Sequence, residues 1–358
     1  MARAGTNLRT SYLESNEVLR RPYQKLMVAI ILAAAIGLPT SSSDYFLHLV
    51  NLCLLACVGA LGLMILTGFC GQISLGHAAF LAIGAFTTVI LTVHLKMPFI
   101  VVVPAAAVSG AIVGFIVGLP SLRFRGVYLA ISTLAMHYAI IFLCTSYQAK
   151  FGTSASAGIT ISDPIIGPFR LRGEYAWYYF LLALLTLVTT GCVNLVRTRP
   201  GRAWMAIRDR DIAAEALGIN LTRYKLSAFM LSATLASVSG SLAAYYSNVV
   251  TVEGYTLDLA VIYVAMIIVG GMGSVLGGLL GAIFITLLPY GIDNVFEFLP
   301  RAWRFGSTVF GVQVGAVGVC IILFLLLEPK GLAEVWRRTE TYFDRWPFRY
   351  RPLDTTRR

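Results

Sequence analysis

The sequence predicts an all-α polytopic membrane protein with about ten transmembrane segments, and three observations carry that expectation. Hydrophobic residues fill 58% of the 358 positions and charged residues only 13%, a balance outside the range of soluble globular domains. The charges are also segregated: residues 26–122 hold only Asp44 and Lys96, and residues 226–292 hold only Glu253 and Asp258. Both blocks can enter hydrocarbon without stranding ions at its centre, where each would cost about 2.5–3.5 kcal/mol. Finally, 22 of the 28 Lys and Arg residues fall in residues 1–25, the Arg123/Arg125 pair, residues 197–225 and the tail after Glu328. That is the positive-inside pattern. It accounts for the net charge of +11 through topology and anionic headgroups. No aromatic and basic nucleic-acid module accompanies it, so nucleic acid is not an expected partner.

The elements follow in order. Residues 1–25 are polar and basic, too long a basic region for a signal peptide, and form a cytoplasmic N-terminal segment. Residues 26–38 make a short first span ending at Pro39, and residues 45–66 make the second. Residues 67–86 are interrupted by Gly68, Gly71 and Gly76 and by the polar Gln72, Ser74 and His77. Non-helical backbone at membrane depth survives only where protein buries it or where it lines a wet cavity. The helix resumes to about Val93. Residues 98–119 carry Gly110, Gly114 and Gly118 on one face, which implies close approach by a helix of this chain or of a partner. Residues 119–126 are a short turn with two arginines, residues 127–147 cross again, and residues 148–174 belong outside. Residues 175–196 return with Trp177, Tyr178 and Tyr179 as an interfacial belt. Beyond Lys225 a helix runs out to Tyr246. Residues 258–269 are then too short to cross a core of about 30 Å; they end in GGMGS, and a second piece continues to Tyr290. Residues 305–327 are the last span.

The transmembrane domain is thus residues 26–328, followed by a cytoplasmic tail at 329–358. In the tail Leu332, Val335, Trp336, Thr339, Tyr342, Phe343 and Trp346 recur at helical spacing, which predicts an amphipathic helix lying in the membrane interface or against a partner subunit. The six cysteines sit in or beside apolar runs without metal-ligand spacing, and His48, His94 and His137 are isolated in sequence. No metal site is expected.

The exception to this apolar chain is residues 197–225, with seven basic and three acidic side chains. Pro200 and Gly201 suggest a turn, the alanine-rich residues 202–217 a helix, and Gly218 its stop. Asp211 and Glu215, spaced i, i+4 with Arg208 and Arg210 nearby, give local charge support. Trp204, Ile207 and Leu217 offer apolar points for docking. The plainer alternative is a surface helix that only caps the bundle.

Five motifs now stand in order: GFCGQISLGHAAFLAIGAF (68–86), LRFRGVYLAISTLA (122–135), GRAWMAIRDRDIAAEALGINLTRYKLSAF (201–229), IIVGGMGSVLGGLLGA (267–282) and EPKGL (328–332). Together they resemble the branched-chain amino acid ABC importer permease family, in its LivM-type subunit. The resemblance implies the type II importer fold in a bacterial inner membrane, with both termini cytoplasmic. It implies a LivH-type second permease, two cytoplasmic ATPase subunits that bind ATP and Mg, and a periplasmic solute-binding protein. Residues 202–218 would be the coupling helix, with Arg202, Trp204, Ile207, Arg208, Arg210, Asp211, Glu215 and Gly218 seating in an ATPase cleft. Gln72, Ser74, His77, Gly271 and Gly273 would flank the translocation pathway. AAEALGI (213–219) lacks the Ile-x-Leu-Pro ending of the general importer-permease signature, which bears on the docking contacts.

No G-x-x-x-x-G-K-[ST] phosphate loop occurs, so energy must come from a partner, and neither catalytic residues nor a cofactor is expected in this chain. Two interrupted segments in different halves are a general pointer to a transport pathway. The alternatives are an importer for urea, short amides or aromatic acids, and a secondary transporter or channel. The latter would need carboxylates within spans that carry almost none. A membrane enzyme would need a clustered catalytic set, and none is visible.

Overall fold

The computed structural model describes residues 33–124, 126–152, 158–166, 169–298 and 331–345, with isolated positions at 30, 315, 318, 319, 322, 323 and 326. The helices are α1 (Asp44–Leu63), α2 (His77–Val89), α3 (Phe99–Ser121), α4 (Val127–Phe151), α5 (Glu174–Arg197), α6 (Arg199–Asp209), α7 (Asp211–Ala216), α8 (Leu221–Ser247), α9 (Leu257–Gly270), α10 (Val275–Phe298) and α11 (Leu332–Arg345). The π-helical turns Met64–Phe69 and Ile90–His94 extend α1 and α2. Eight segments are long and apolar enough to cross a membrane, matching the second to ninth expected spans. Of the first, residues 26–29, 31 and 32 lie outside the described residues, as do most of the tenth, at residues 305–327, and all of residues 1–25.

The centre is built from α1 and α8. Ser43 caps α1 by accepting from the Phe46 amide, and residues 53–63 are buried on every side. A helix buried all round in a membrane protein needs partners with small surfaces, and α8 supplies them against α1, α2 and α3. A Cβ at Gly84 or Gly110 would overlap Ser237, one at Gly114 would press on Ala233 and one at Gly118 on Leu226. The glycine face of α3 therefore serves packing within the chain. Serine hydroxyls of α8 strengthen the contact: Ser237 Oγ donates to the Phe80 carbonyl and Ser239 Oγ to Leu55, each at 2.9 Å, while Ser241 Oγ lies 2.6 Å from Thr88 Oγ1. The outward faces of α3 and α4, with Ile112, Ile116, Phe142 and Leu143 exposed, are apolar as a lipid contact requires.

At the end of the bundle remote from α6, strand β1 (Ile159–Thr160) pairs antiparallel with β4 (Val249–Val250), and β2 (Ile165–Ile166) with β3 (Phe169–Arg170). His48 is not isolated there. The Tyr246 hydroxyl stands 2.7 Å from His48 Nδ1 and 2.6 Å from Glu174 Oε2, and Asn51 Nδ2 donates to the same carboxylate at 2.8 Å. This network ties together the far ends of α1, α5 and α8.

Candidate functional site: the junction of α6 with two broken helices

Residues 71–76 are non-helical backbone between α1 and α2, with Gly71 at a positive φ of 71°. Exposure alternates along them: Gly71 and Ile73 face outward, while Gln72, Ser74 and Gly76 are buried. Backbone groups at membrane depth need partners, and the break supplies them locally. Gln72 N donates to the Leu66 carbonyl, Thr67 Oγ1 to the Gln72 carbonyl, Leu75 N to Thr133 Oγ1, and Gly76 N to Ser74 Oγ. Fully buried His77 donates through Nε2 to the Gly59 carbonyl at 3.0 Å and packs on Tyr263. Ser74 and His77 thus brace the break from inside this chain.

The second break is the GGMGS turn. Helix α9 alone has 14 residues, about 21 Å at the helical rise, but the 3-10 turn Val252–Tyr255 ahead of it extends the segment to 19 residues, long enough to cross, which corrects the expectation drawn from residues 258–269 alone. Gly271 and Gly273 take positive φ of 109° and 86°, which glycine adopts without penalty. Ser274 then starts α10, its Oγ accepting from Gly277 N. The two pieces pack as a hairpin so close that a Cβ at Gly281 would overlap the Met266 carbonyl. Gly331, ahead of α11, lies against Gly271 under the same restriction.

The two breaks meet at α6. Arg208 Nη1 donates to the Gly68 carbonyl at 2.6 Å, in the π-helical turn where α1 runs out of intrahelical donors. A charged donor of this kind contributes about 1.5–3 kcal/mol in general, less where water screens it. Gly273 N approaches Met64 Sδ at 3.4 Å, joining the turn to the same end of α1. Beside this junction lies a cleft of about 650 Å³, whose lining includes Gln72, Leu129, Arg208, Arg210, Asp211 and Lys225.

Residues 202–217 are not one helix. The chain is helical from Arg199, with Pro200 and Gly201 inside the first turn, and it is extended at Arg210 (φ −157°, ψ 106°) before α7 begins. Lys225, only 6% exposed, lies 3.7 Å from Asp211 at the elbow. Gly218 stops α7 at φ 84°, with Ile219 N returning to the Ala214 carbonyl, the 6→1 bond of a Schellman end.

Residues 45–317 match the family described as "Branched-chain amino acid transport system / permease component". The chain belongs to this family. This permease is 30% identical over 336 residues to the high-affinity branched-chain amino acid transport system permease protein LivM of Salmonella typhimurium, covering 88% of this chain and 76% of that protein. LivM of Escherichia coli gives the same figures. The probable LivM of Methanocaldococcus jannaschii is 25% identical over 235 residues, covering 63% of this chain and 67% of that protein.

Within the permease, the expected coupling residues divide into three groups, apart from half-buried Asp211, which pairs with Lys225. Trp204 and Ile207 are buried and face the bundle; Trp204 Nε1 donates to the Tyr224 carbonyl at 2.9 Å and also lies 3.2 Å from Ser227 Oγ. Arg208 turns toward the breaks. Arg202, Arg210, Glu215 and Gly218 are exposed, as are Ile212 at 71% and Leu217 at 81%. Ile212 was not singled out in the sequence, although an isoleucine flanked by charge in a helical insert is the available signal. Exposed Ile73 and Met272, one at each break, also escaped notice because they look like ordinary apolar filling. Among the described residues no cluster of metal-ligating side chains occurs.

Proposed function

We propose that this permease is one of two membrane subunits of an ATP-driven importer, carrying branched-chain and other hydrophobic amino acids across a bacterial cytoplasmic membrane. The α6 end faces the cytoplasm, and the His48–Glu174–Tyr246 end faces the binding protein. A LivH-type permease completes the pathway, and two ATPase subunits bind ATP and Mg. A periplasmic solute-binding protein delivers the substrate.

The observation that carries this proposal is the α6–α7 elbow. Its buried side, Trp204 and Ile207, fastens it beneath the bundle, while Arg208 reaches the breaks. Its free side offers Ile212, Leu217, Glu215 and Arg210 to a partner. A lever needs such an arrangement, attached to the moving part and exposed to the motor. Gln72, Gly271 and Gly273, braced by Ser74 and His77, form the inner constriction of the pathway. The substrate class rests on the relatives' transport of branched-chain amino acids, as their names state.

The test is uptake into vesicles holding the four-part membrane complex, with the binding protein supplied outside. Leucine uptake is expected only with ATP inside and only with both ATPase subunits present. Uptake that persists without them, or that follows an ion gradient, would sink the proposal. Competition by urea, short amides or aromatic acids in place of leucine would reassign the substrate.

A further inference from the structure

This inference rests on the proposed drive by a cytoplasmic ATPase and concerns how α6 reaches the membrane interior. Several observations converge on one side chain. Arg208 Nη1 donates to the Gly68 carbonyl at 2.6 Å. A Cβ at Gly273 would overlap that same Nη1, and a Cβ at Gly71 would stand only 3.1–3.3 Å from Arg208 Cα, Cβ and Cγ. Gly273 N approaches Met64 Sδ, one turn before Gly68. Glycine therefore occupies each point where Arg208 passes the backbone of a break, on two segments about 200 residues apart in the chain. The Gly68 carbonyl lies at the negative end of the α1 dipole, and a guanidinium, with several donors in one rigid plane, suits a position between two backbones better than an ammonium would.

We infer that Arg208 is the positioning residue that links α6 to transport. It holds the inner end of α1, the GGMGS turn and α6 as one body, so that displacement of α6 carries the residues of the inner constriction together against the second permease. A side chain acting only as a helix cap would alter stability and leave the solute moved per ATP unchanged.

The experiment uses the complete complex in vesicles. Arg208→Gln is expected to assemble and to import roughly tenfold less solute per ATP hydrolysed. Arg208→Lys, which keeps one charged donor, is expected to recover about half of that ratio. An unchanged ratio in assembled Arg208→Gln overturns the inference. Should that variant fail to assemble, spin labels at Asp209→Cys and Met272→Cys decide the matter with Arg208 intact. Both sites are exposed, and the five native cysteines among the described residues are buried. Their separation is expected to stay within about 2 Å between nucleotide-free and ATP-bound states, and a larger change overturns the inference. An unaltered complex that fails to import with ATP overturns the proposed function and this inference together. One that imports normally while Arg208→Gln keeps its ratio overturns the inference alone.

Discussion

Lys225 shows how much one buried charge decides. Its side chain is almost wholly enclosed, and Asp211 lies 3.7 Å away with about a quarter of its surface open to solvent. Removing the carboxylate strands an ammonium, which costs about 3–5 kcal/mol for a fully buried pair; partial solvation of Asp211 lowers this to about 1–3 kcal/mol. Asp211→Asn should therefore lower the melting temperature of the purified permease in detergent. Lys225→Met added to it should restore most of the loss, and an equal loss in the double variant would refute the pairing. Packing at glycine obeys the same local logic. Gly84→Ala places a methyl inside the Ser237 carbonyl and is expected to cost about 1–3 kcal/mol, read from the same melting curve.

At the scale of an element, the elbow separates two kinds of residue that the sequence lists side by side. Trp204→Ala removes a buried indole and its hydrogen bonds, and a loss of about 3–5 kcal/mol in folding is expected. Ile212→Ser with Leu217→Ser touches only exposed positions. Stability should stay within about 0.5 kcal/mol, while affinity for the ATPase subunits, measured by titration of the purified components, falls about tenfold or more. Unchanged affinity would place the docking face elsewhere. The sequence made both glycine-rich breaks and the Gly218 stop legible, because glycine and short polar side chains mark departures from helix locally. It did not reveal the elbow. Alanines and the i, i+3 pair of Arg208 and Asp211 favour a continuous helix through Arg210, and Lys225, which pairs with Asp211 at the bend, lies 14 positions beyond it. The inward direction of Trp204 is hidden for a similar reason, since its partners Tyr224 and Ser227 belong to α8, two helices on.

For the whole molecule, the spans could be read from hydropathy and charge, whereas the partner of the Gly110, Gly114 and Gly118 face could not. Helical spacing specifies that a backbone must approach closely; only the fold names α8 as that backbone. Burial then predicts a gradient of protection. Amides of α1 and α8 should exchange hydrogen most slowly, and those of α7 and α11 most quickly, as mass spectrometry of the detergent-solubilised chain can measure. Exchange in α8 as fast as in α7 would contradict its central place.

The serines that fasten α8 also bear on how the protein is made. Among the described spans α8 has the lowest mean hydropathy, 1.5 against 2.5 for the segments of α1 and α3, because hydroxyls stand where its neighbours carry aliphatic groups. Alone in lipid it would be the most reluctant of the eight to leave the translocon. The acceptors for those hydroxyls, the carbonyls of Leu55 and Phe80 and the Thr88 side chain, lie on helices synthesised earlier. Biogenesis is thereby given an order, in which α1 enters on its own greasiness and α8 is admitted by the partners already waiting.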